Sequence, residues 1–295
     1  MRLSIDAHLD YGLSAPADLL LALEVAQTPD QRLVTDRLTV GGVEPMRPIA
    51  ADDSLGRRTW ARGAGRITAH YTAVVDGVEP MRPIAADESL GRRTWARGTS
   101  RITAHYTAIV DIDRAPVVIA GLAADDLKEL PSLVVPYLFP SRYCEADRFD
   151  TAVRREFGDA EGGDKVQAMA DWIRNHLDYV PGSSDGDTTA ADTFVAHRGV
   201  CRDFAHLLIA MARAAGIPAR MVGAYAWQLE PQDFHAVVEV WLAGGWHLVD
   251  ATGLAPTEGI VRIGVGRDAT DISFLTTFGQ AYFIGQRVSV ERIDG

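Results

Sequence analysis

Three residues far apart in the chain are of the types that acyl-transfer chemistry needs: Cys201, His235 and Asp250. A thiol attacks as its thiolate, so it needs a base to take its proton and a third group to hold that base. Cys201 follows the loop residue Gly199. It opens a run in which Phe204, Leu207, Leu208, Met211 and Ala215 recur at helical spacing, stopped by Gly216 and Pro218. This spacing predicts a buried helix with Cys201 in its first turn. Unpaired N–H groups and partial positive charge there favour a thiolate. A lone cysteine at this place would read as a small apolar core residue. The histidine and aspartate downstream change that reading.

His235 is the second residue of the run Phe234 to Leu242, and Asp250 lies two residues before the end of the run Trp246 to Thr252. The turn residues Ala243, Gly244 and Gly245 join the two as a hairpin. Side chains alternate faces along a strand, so His235 shares a face with Val237, Glu239 and Trp241, and Asp250 with Leu248 and Trp246. The two faces coincide if the connecting loop holds an even number of residues. A loop of Leu242 to Gly245 sets Trp241 opposite Trp246 and Val237 opposite Asp250. Asp250 is then diagonal to His235, about 7 Å away at the backbone and within side-chain reach. A Gly244–Gly245 turn keeps the face but moves Asp250 one pair further off, so the longer loop is favoured. Taken singly, His235 reads as a structural residue at a strand start and Asp250 as the opening of a turn. His206 competes as base but lies more than a turn past Cys201 on the same helix. His247 has the wrong parity. A metal site from Cys201, His206 and His235 lacks paired ligand spacing, so no metal is expected.

The supporting elements follow from the rest of the chain. Leu3, Ile5, Ala7, Leu9 and Tyr11 alternate with polar residues, and weaker runs cover Leu19 to Val25 and Leu33 to Val40, so residues 1 to 41 read as strands. Residues 42–76 and 77–111 are nearly the same sequence, differing at Asp53/Glu88, Ala64/Thr99, Gly65/Ser100 and Val74/Ile109. Each copy ends in a strand pattern. Two copies are too few for a solenoid, so a compact sheet needs one copy, with the other an extra hairpin-like excursion or poorly packed. His70 and His105 recur with the copy and read as strand-surface residues rather than ligands. Prolines at 116, 131, 136 and 140 break the stretch 112–163, with Ser132 to Leu138 read as an extended crossing segment. The domain boundary is placed near residue 140, giving a β-rich part over 1–140 and a second domain over 141–295. In the latter, Val166, Met169, Ala170, Ile173 and Leu177 mark an amphipathic helix. Ser183 to Thr188 form a polar loop, Thr189 to Val195 a short helix, and Ala219 to Trp227 a strand. Arg202 and Asp203 are expected to cap or pair at the start of the cysteine helix. Trp227, Trp241 and Trp246 are expected to pack the sheet and wall a cleft.

Composition narrows the classes. The 295 residues carry a net charge of −11, which argues against nucleic acid or an anionic membrane as partner. No run of about 18 apolar residues occurs, and the N-terminus lacks the apolar segment of a signal peptide. The two cysteines, Cys144 and Cys201, are expected to be free thiols in a cytoplasmic protein, since a disulfide would consume the nucleophile. Cys144 shows no neighbouring base or helix start. Asp268 and Asp271 form a short acidic pair without calcium-loop spacing.

The order of cysteine, then histidine on one strand, then aspartate on the next resembles the transglutaminase-like superfamily, built on the papain-type core. The matching pieces are Gly199-Val200-Cys201-Arg202-Asp203-Phe204-Ala205, Gly216-Ile217-Pro218-Ala219-Arg220, Phe234-His235-Ala236 with Glu239-Val240, and Gly245-Trp246 ahead of Asp250-Ala251-Thr252. They span about residues 165–255. His235-Ala236-Val237 departs from the His-Ala-Trp of many relatives, and the duplication departs from the family's N-terminal pattern. The resemblance implies an α+β protein: an antiparallel β-sandwich-like domain before a core whose cysteine helix packs on an antiparallel sheet. It implies Cys201 as nucleophile, His235 as general base then acid, and Asp250 as the residue orienting it. It also implies the Cys201 backbone N–H, with Tyr179 as second donor, for the oxyanion. The reaction implied is acyl transfer at an amide of a peptide or protein through a thioester. Water as acceptor makes a protease or amidase, and an amine acceptor makes a transglutaminase. No cofactor is needed. The alternative is a peptide-binding module that keeps the fold without catalysis.

Overall fold

The computed structural model describes residues 1–15, 17–41, 101–116 and 118–293, together with the strand segments 47–49, 58–60, 68–70 and 94–98. Strand Arg2–Leu13 buries Leu3, Ile5, Ala7 and Leu9 while the residues between them stay partly exposed, as the period of two requires. It pairs antiparallel with Ala281–Arg292 on one side and Arg101–Ile112 on the other. Gln31–Gly41 follows, and then Thr68–His70, giving a five-stranded sheet. A second antiparallel sheet holds Leu275–Phe278, Ala17–Leu21 and Thr94–Gly98. Leu19, Leu21 and Leu23 share one core with Leu3, Ile5, Tyr106 and Val110 of the larger sheet, which makes this part sandwich-like.

The duplicated strand occurs twice in the larger sheet. The second copy, Arg101–Ile112, lies between Arg2–Leu13 and Gln31–Gly41, while Thr68–His70 of the first copy pairs with the far side of Gln31–Gly41. The hairpin-like excursion expected for the spare copy falls on residues outside those described.

Residues 275–292, which a division near residue 140 assigns to the second domain, hydrogen-bond into both N-terminal sheets. The expected crossing segment at 132–138 is not extended: Val135–Leu138 forms a 3-10 turn, with Pro136 at its start. The stretch also contains a helix that its sequence does not announce, α1 (Asp150–Phe157), held by only two buried side chains, Val153 and Phe157.

The second core surrounds one helix. After α2 (Gly162–His176) and the short α3 (Ala190–Ala196), α4 runs Cys201–Ala214. It packs on a four-stranded antiparallel sheet in the order Gly245–Val249, His235–Leu242, Ala219–Ala226, Ile260–Gly266. Phe204, Leu207, Leu208 and Met211 are all buried. Each contributes about 1.5–3 kcal/mol of burial free energy, so removal of this stripe would unfold the domain. Alternate residues Ala236, Val238, Val240 and Leu242 join the core under α4, and Val237 joins a smaller core with Leu248.

The two parts of the molecule meet through buried charge. Glu239 accepts from Arg220 Nε at 2.7 Å and from Arg262 Nε at 2.8 Å. Arg262 reaches on to Asp30 of the N-terminal part, whose carboxylate also takes the Arg114 guanidinium. These cations, led by Arg262, outweigh the burial that opposes ionisation and hold the Asp30 carboxyl well below the usual carboxylate range. Tyr225 donates to the Leu23 carbonyl at 2.7 Å across the same seam.

Candidate active site

Cys201 is the first residue of α4, as expected, with Val200 as the preceding cap position. Val200 has no side-chain oxygen to cap the helix, so Asp203 does the work from inside the first turn. Its carboxylate, fully buried, accepts the Val200 N–H at 2.8 Å, the Ser184 hydroxyl and the Arg202 guanidinium. The expected capping role of Arg202 and Asp203 is borne out, and the polar loop 183–188 is tied to the helix start through Ser184. Gly199 is required here. A Cβ on it would stand 2.7 Å from Asp203 Cβ, closer than atoms tolerate. Arg198–Gly199 also pairs in parallel with Asp178–Tyr179, which brings Tyr179 beside Cys201.

The hairpin has the register that parity predicts. Trp241 is opposite Trp246 and Val238 opposite Val249, so Asp250 follows in line with Val237. The turn is two residues, Ala243–Gly244, both at positive φ, and Leu242 still pairs with Gly245. Primed turns of this kind match the twist of the strands, so the ladder closes two residues tighter than the expected loop without changing register.

His235 and Asp250 meet as the register requires. His235 Nε2 lies 3.0 Å from Asp250 Oδ2, and both side chains are almost wholly buried. Asp250 is fixed from several directions. Oδ1 accepts from the Thr252 N–H and hydroxyl at 2.8 and 2.7 Å, Oδ2 accepts from the Ala255 N–H at 3.0 Å, and Arg174 of α2 donates to its carbonyl. The turn-opening reading of Asp250 and its role as a partner of His235 are therefore both correct: the Asx turn immobilises the carboxylate. Burial alone would raise this carboxyl, but the hydrogen bond and charge of His235, with Thr252 and Ala255, bring it below its usual range.

The other imidazole nitrogen faces away from Asp250. His235 Nδ1 is buried and completes no hydrogen bond of good geometry, and the Cys201 thiol is its neighbour. Burial disfavours the imidazolium. The hydrogen bond to Asp250, the contact with Cys201 and the charges of both outweigh it, pushing the His235 pKa up to about 10. The Tyr179 hydroxyl stands within hydrogen-bonding reach of the Cys201 backbone N–H and thiol. Burial first, then the sulfur's negative charge, raises its pKa. The site can thus hold an imidazolium beside a sulfur at a helix start, with backbone N–H and phenol donors in the same place.

The rival groups lie elsewhere. His206 is fully buried on α4, where its Nε2 accepts the Ala269 N–H at 3.2 Å and its ring stacks on Tyr143. Burial lowers its pKa to about 4. His247 faces the Leu242 carbonyl at 2.9 Å. Cys144 is fully buried, which pushes its thiol pKa far up. Trp246 packs edge-on to Trp241 at 5.4 Å and lies under the Arg220 guanidinium at 4.0 Å, the sheet-packing role expected of these rings. Sequence reasoning missed Ser184, Arg174 and Thr252 as supports of the site. Only Thr252 left a signal, in the Asp-x-Thr turn pattern.

A helix with cysteine at its start, packed on an antiparallel sheet behind a β-sandwich-like part, is the transglutaminase-like, papain-type α+β architecture. Residues 151–251 match the family model of the transglutaminase-like superfamily. A solved structure from Cytophaga hutchinsonii, named as a candidate cysteine protease, is 30% identical with a TM-score of 0.79, and the match covers 100% of this chain and 91% of that one. The chain belongs to the transglutaminase-like superfamily. An uncharacterized protein of Mycobacterium leprae is 36% identical over 119 residues, 37% of this chain, and the match spans only 42% of that relative's length. The periplasmic domain of TgpA from Pseudomonas aeruginosa aligns over 85% of this chain at 15% identity, with a TM-score of 0.37.

Proposed function

We propose that this chain is a cysteine hydrolase of amide bonds in peptides or proteins, acting through a thioester with Cys201, His235 and Asp250 as its triad. The observation that carries the reading is His235: Nε2 is held by a fixed carboxylate, Nδ1 is buried, and the ring neighbours the Cys201 thiol. The candidate-protease name of the Cytophaga hutchinsonii relative supports hydrolysis as the outcome.

In the reaction the Cys201 sulfur attacks the amide carbonyl carbon, and the carbonyl pair moves onto oxygen. The Cys201 N–H, with the Tyr179 hydroxyl, receives that charge at the helix start. Collapse re-forms the carbonyl and breaks the carbon–nitrogen bond, while His235 gives its proton to the leaving amine. Neutral His235 then takes a proton from water. The hydroxide attacks the thioester, the acid leaves, and the thiolate–imidazolium pair returns. Asp250 holds the ring throughout.

The test is alkylation with iodoacetamide across pH, followed by a peptide and protein substrate screen. Cys201 is expected to label rapidly, with Cys144 silent and Cys201→Ser unlabelled. The screen is expected to yield free carboxylic acid. Slow, uniform labelling of both cysteines would sink the enzyme reading, and incorporation of an added primary amine without cleavage would make the chain a transglutaminase instead.

A further inference from the structure

A second group of reactive side chains lies on the solvent face of the five-stranded sheet, away from the cysteine helix. Asp6 and His8 are two residues apart on strand Arg2–Leu13 and therefore point the same way. His8 is directly opposite His105 of Arg101–Ile112. One ligand atom from each of Asp6, His8 and His105 can be chosen so that all lie within 4.8 Å of one another. His8 Nε2 is 2.9 Å from Asp6 Oδ1, and His105 Nε2 is 3.0 Å from Asp6 Oδ2. The two imidazoles are parallel, at 3.9 Å between ring centres and 11° between planes.

We propose that Asp6, His8 and His105 form a divalent transition-metal site, with zinc the probe of choice. Two neutral imidazoles and one carboxylate are the donor set of zinc and its first-row neighbours. Ligands around such an ion stand about 3.4 Å apart, from bonds of about 2.0–2.1 Å in a tetrahedron, so the widest pair of this trio, within 4.8 Å, has at most about 1.4 Å to close, within reach of side-chain rotation. The three residues sit on hydrogen-bonded strands, which fixes their directions before any ion arrives.

The Asp6 carboxylate already lies between the two rings, with Oδ1 facing His8 and Oδ2 facing His105. Each of the three side chains is still about 40% exposed, so an ion can enter and water can fill the remaining positions. Arg287 on the neighbouring strand works against the site, with Nη2 3.7 Å from Asp6 Oδ1. Its side chain is 70% exposed and can swing out. A bound ion would clip the first strand to the second copy of the duplicated strand.

The experiment is zinc titration by calorimetry of the untagged full chain carrying Cys201→Ser, which keeps the thiol from competing. One equivalent is expected to bind and to raise the melting temperature, since the ion binds only the folded sheet. His105→Phe keeps the ring stack but removes the ligand, and His8→Ala removes one from the other strand. Each is expected to weaken binding by more than the about 10- to 100-fold typical of losing an outer partner of a metal ligand. Arg287→Ala is expected to tighten it. Absence of zinc binding, or binding unchanged in both His105→Phe and His8→Ala, overturns the proposal.

Discussion

Two clusters of buried charge share the strand His235–Leu242, and they differ in one respect. Around Glu239 the charges close on one another: each carboxylate oxygen takes an arginine, and Arg262 passes on to Asp30. Around His235 the chain of hydrogen bonds runs from Thr252 and Ala255 through Asp250 to the imidazole and stops, leaving Nδ1 facing sulfur. Both clusters bear the desolvation that buried charge entails. The closed one converts it into a fixed junction between two parts of the molecule. In the proposed mechanism the open one keeps a proton available.

The contrast makes predictions that can break it. The largest effect is expected for Cys201→Ser, which removes the group the open cluster serves. Hydrolysis should fall about 10,000-fold or more, near 5.5 kcal/mol of barrier, with the urea midpoint of unfolding unchanged. Next is Glu239→Gln, which leaves two guanidinium groups short of a charge. It should cost about 3–5 kcal/mol of stability, read by urea denaturation, with no change in the shape of the pH–rate profile.

Asp250→Asn should lower the hydrolysis rate by about 100- to 10,000-fold. The carboxylate raises the His235 pKa, so its loss should carry the alkaline limb of kcat/KM down from about pH 10. A limb that stays in place would mean that another group sets it. The smallest effect is expected for His206→Phe. The buried Ala269 N–H loses its acceptor, at about 1–3 kcal/mol of stability. The pH–rate profile should not move, because the His206 ring, with its pKa near 4, is already neutral over the working range.

Local periodicity made much of this legible. The alternation of Leu3, Ile5, Ala7 and Leu9, and the stripe Phe204, Leu207, Leu208 and Met211, are each decided by which face is buried, and the structure agrees. The meeting of His235 with Asp250 was readable because parity constrains side chains through a short hairpin. What stayed hidden is nonlocal. Nothing in Ala281–Arg292 announces a partner 280 residues earlier, and α1 has too few apolar residues for a stripe. Arg220, Glu239 and Arg262 would each read as water-facing strand residues. Only their mutual pairing explains why all three are buried. Tyr179 reached the cysteine through a two-residue pairing with Arg198–Gly199, too short to leave a pattern.

The seam at Asp30 and Arg262 bears on how the protein can be handled. A truncated product beginning near residue 141 would uncover the Arg262 guanidinium, strip the Tyr225 hydroxyl of its acceptor at Leu23 and leave Ala281–Arg292 as a strand without a sheet. Such a fragment would precipitate rather than serve as a minimal catalyst, and crystallographers or enzymologists seeking a smaller version should trim loops instead of halves.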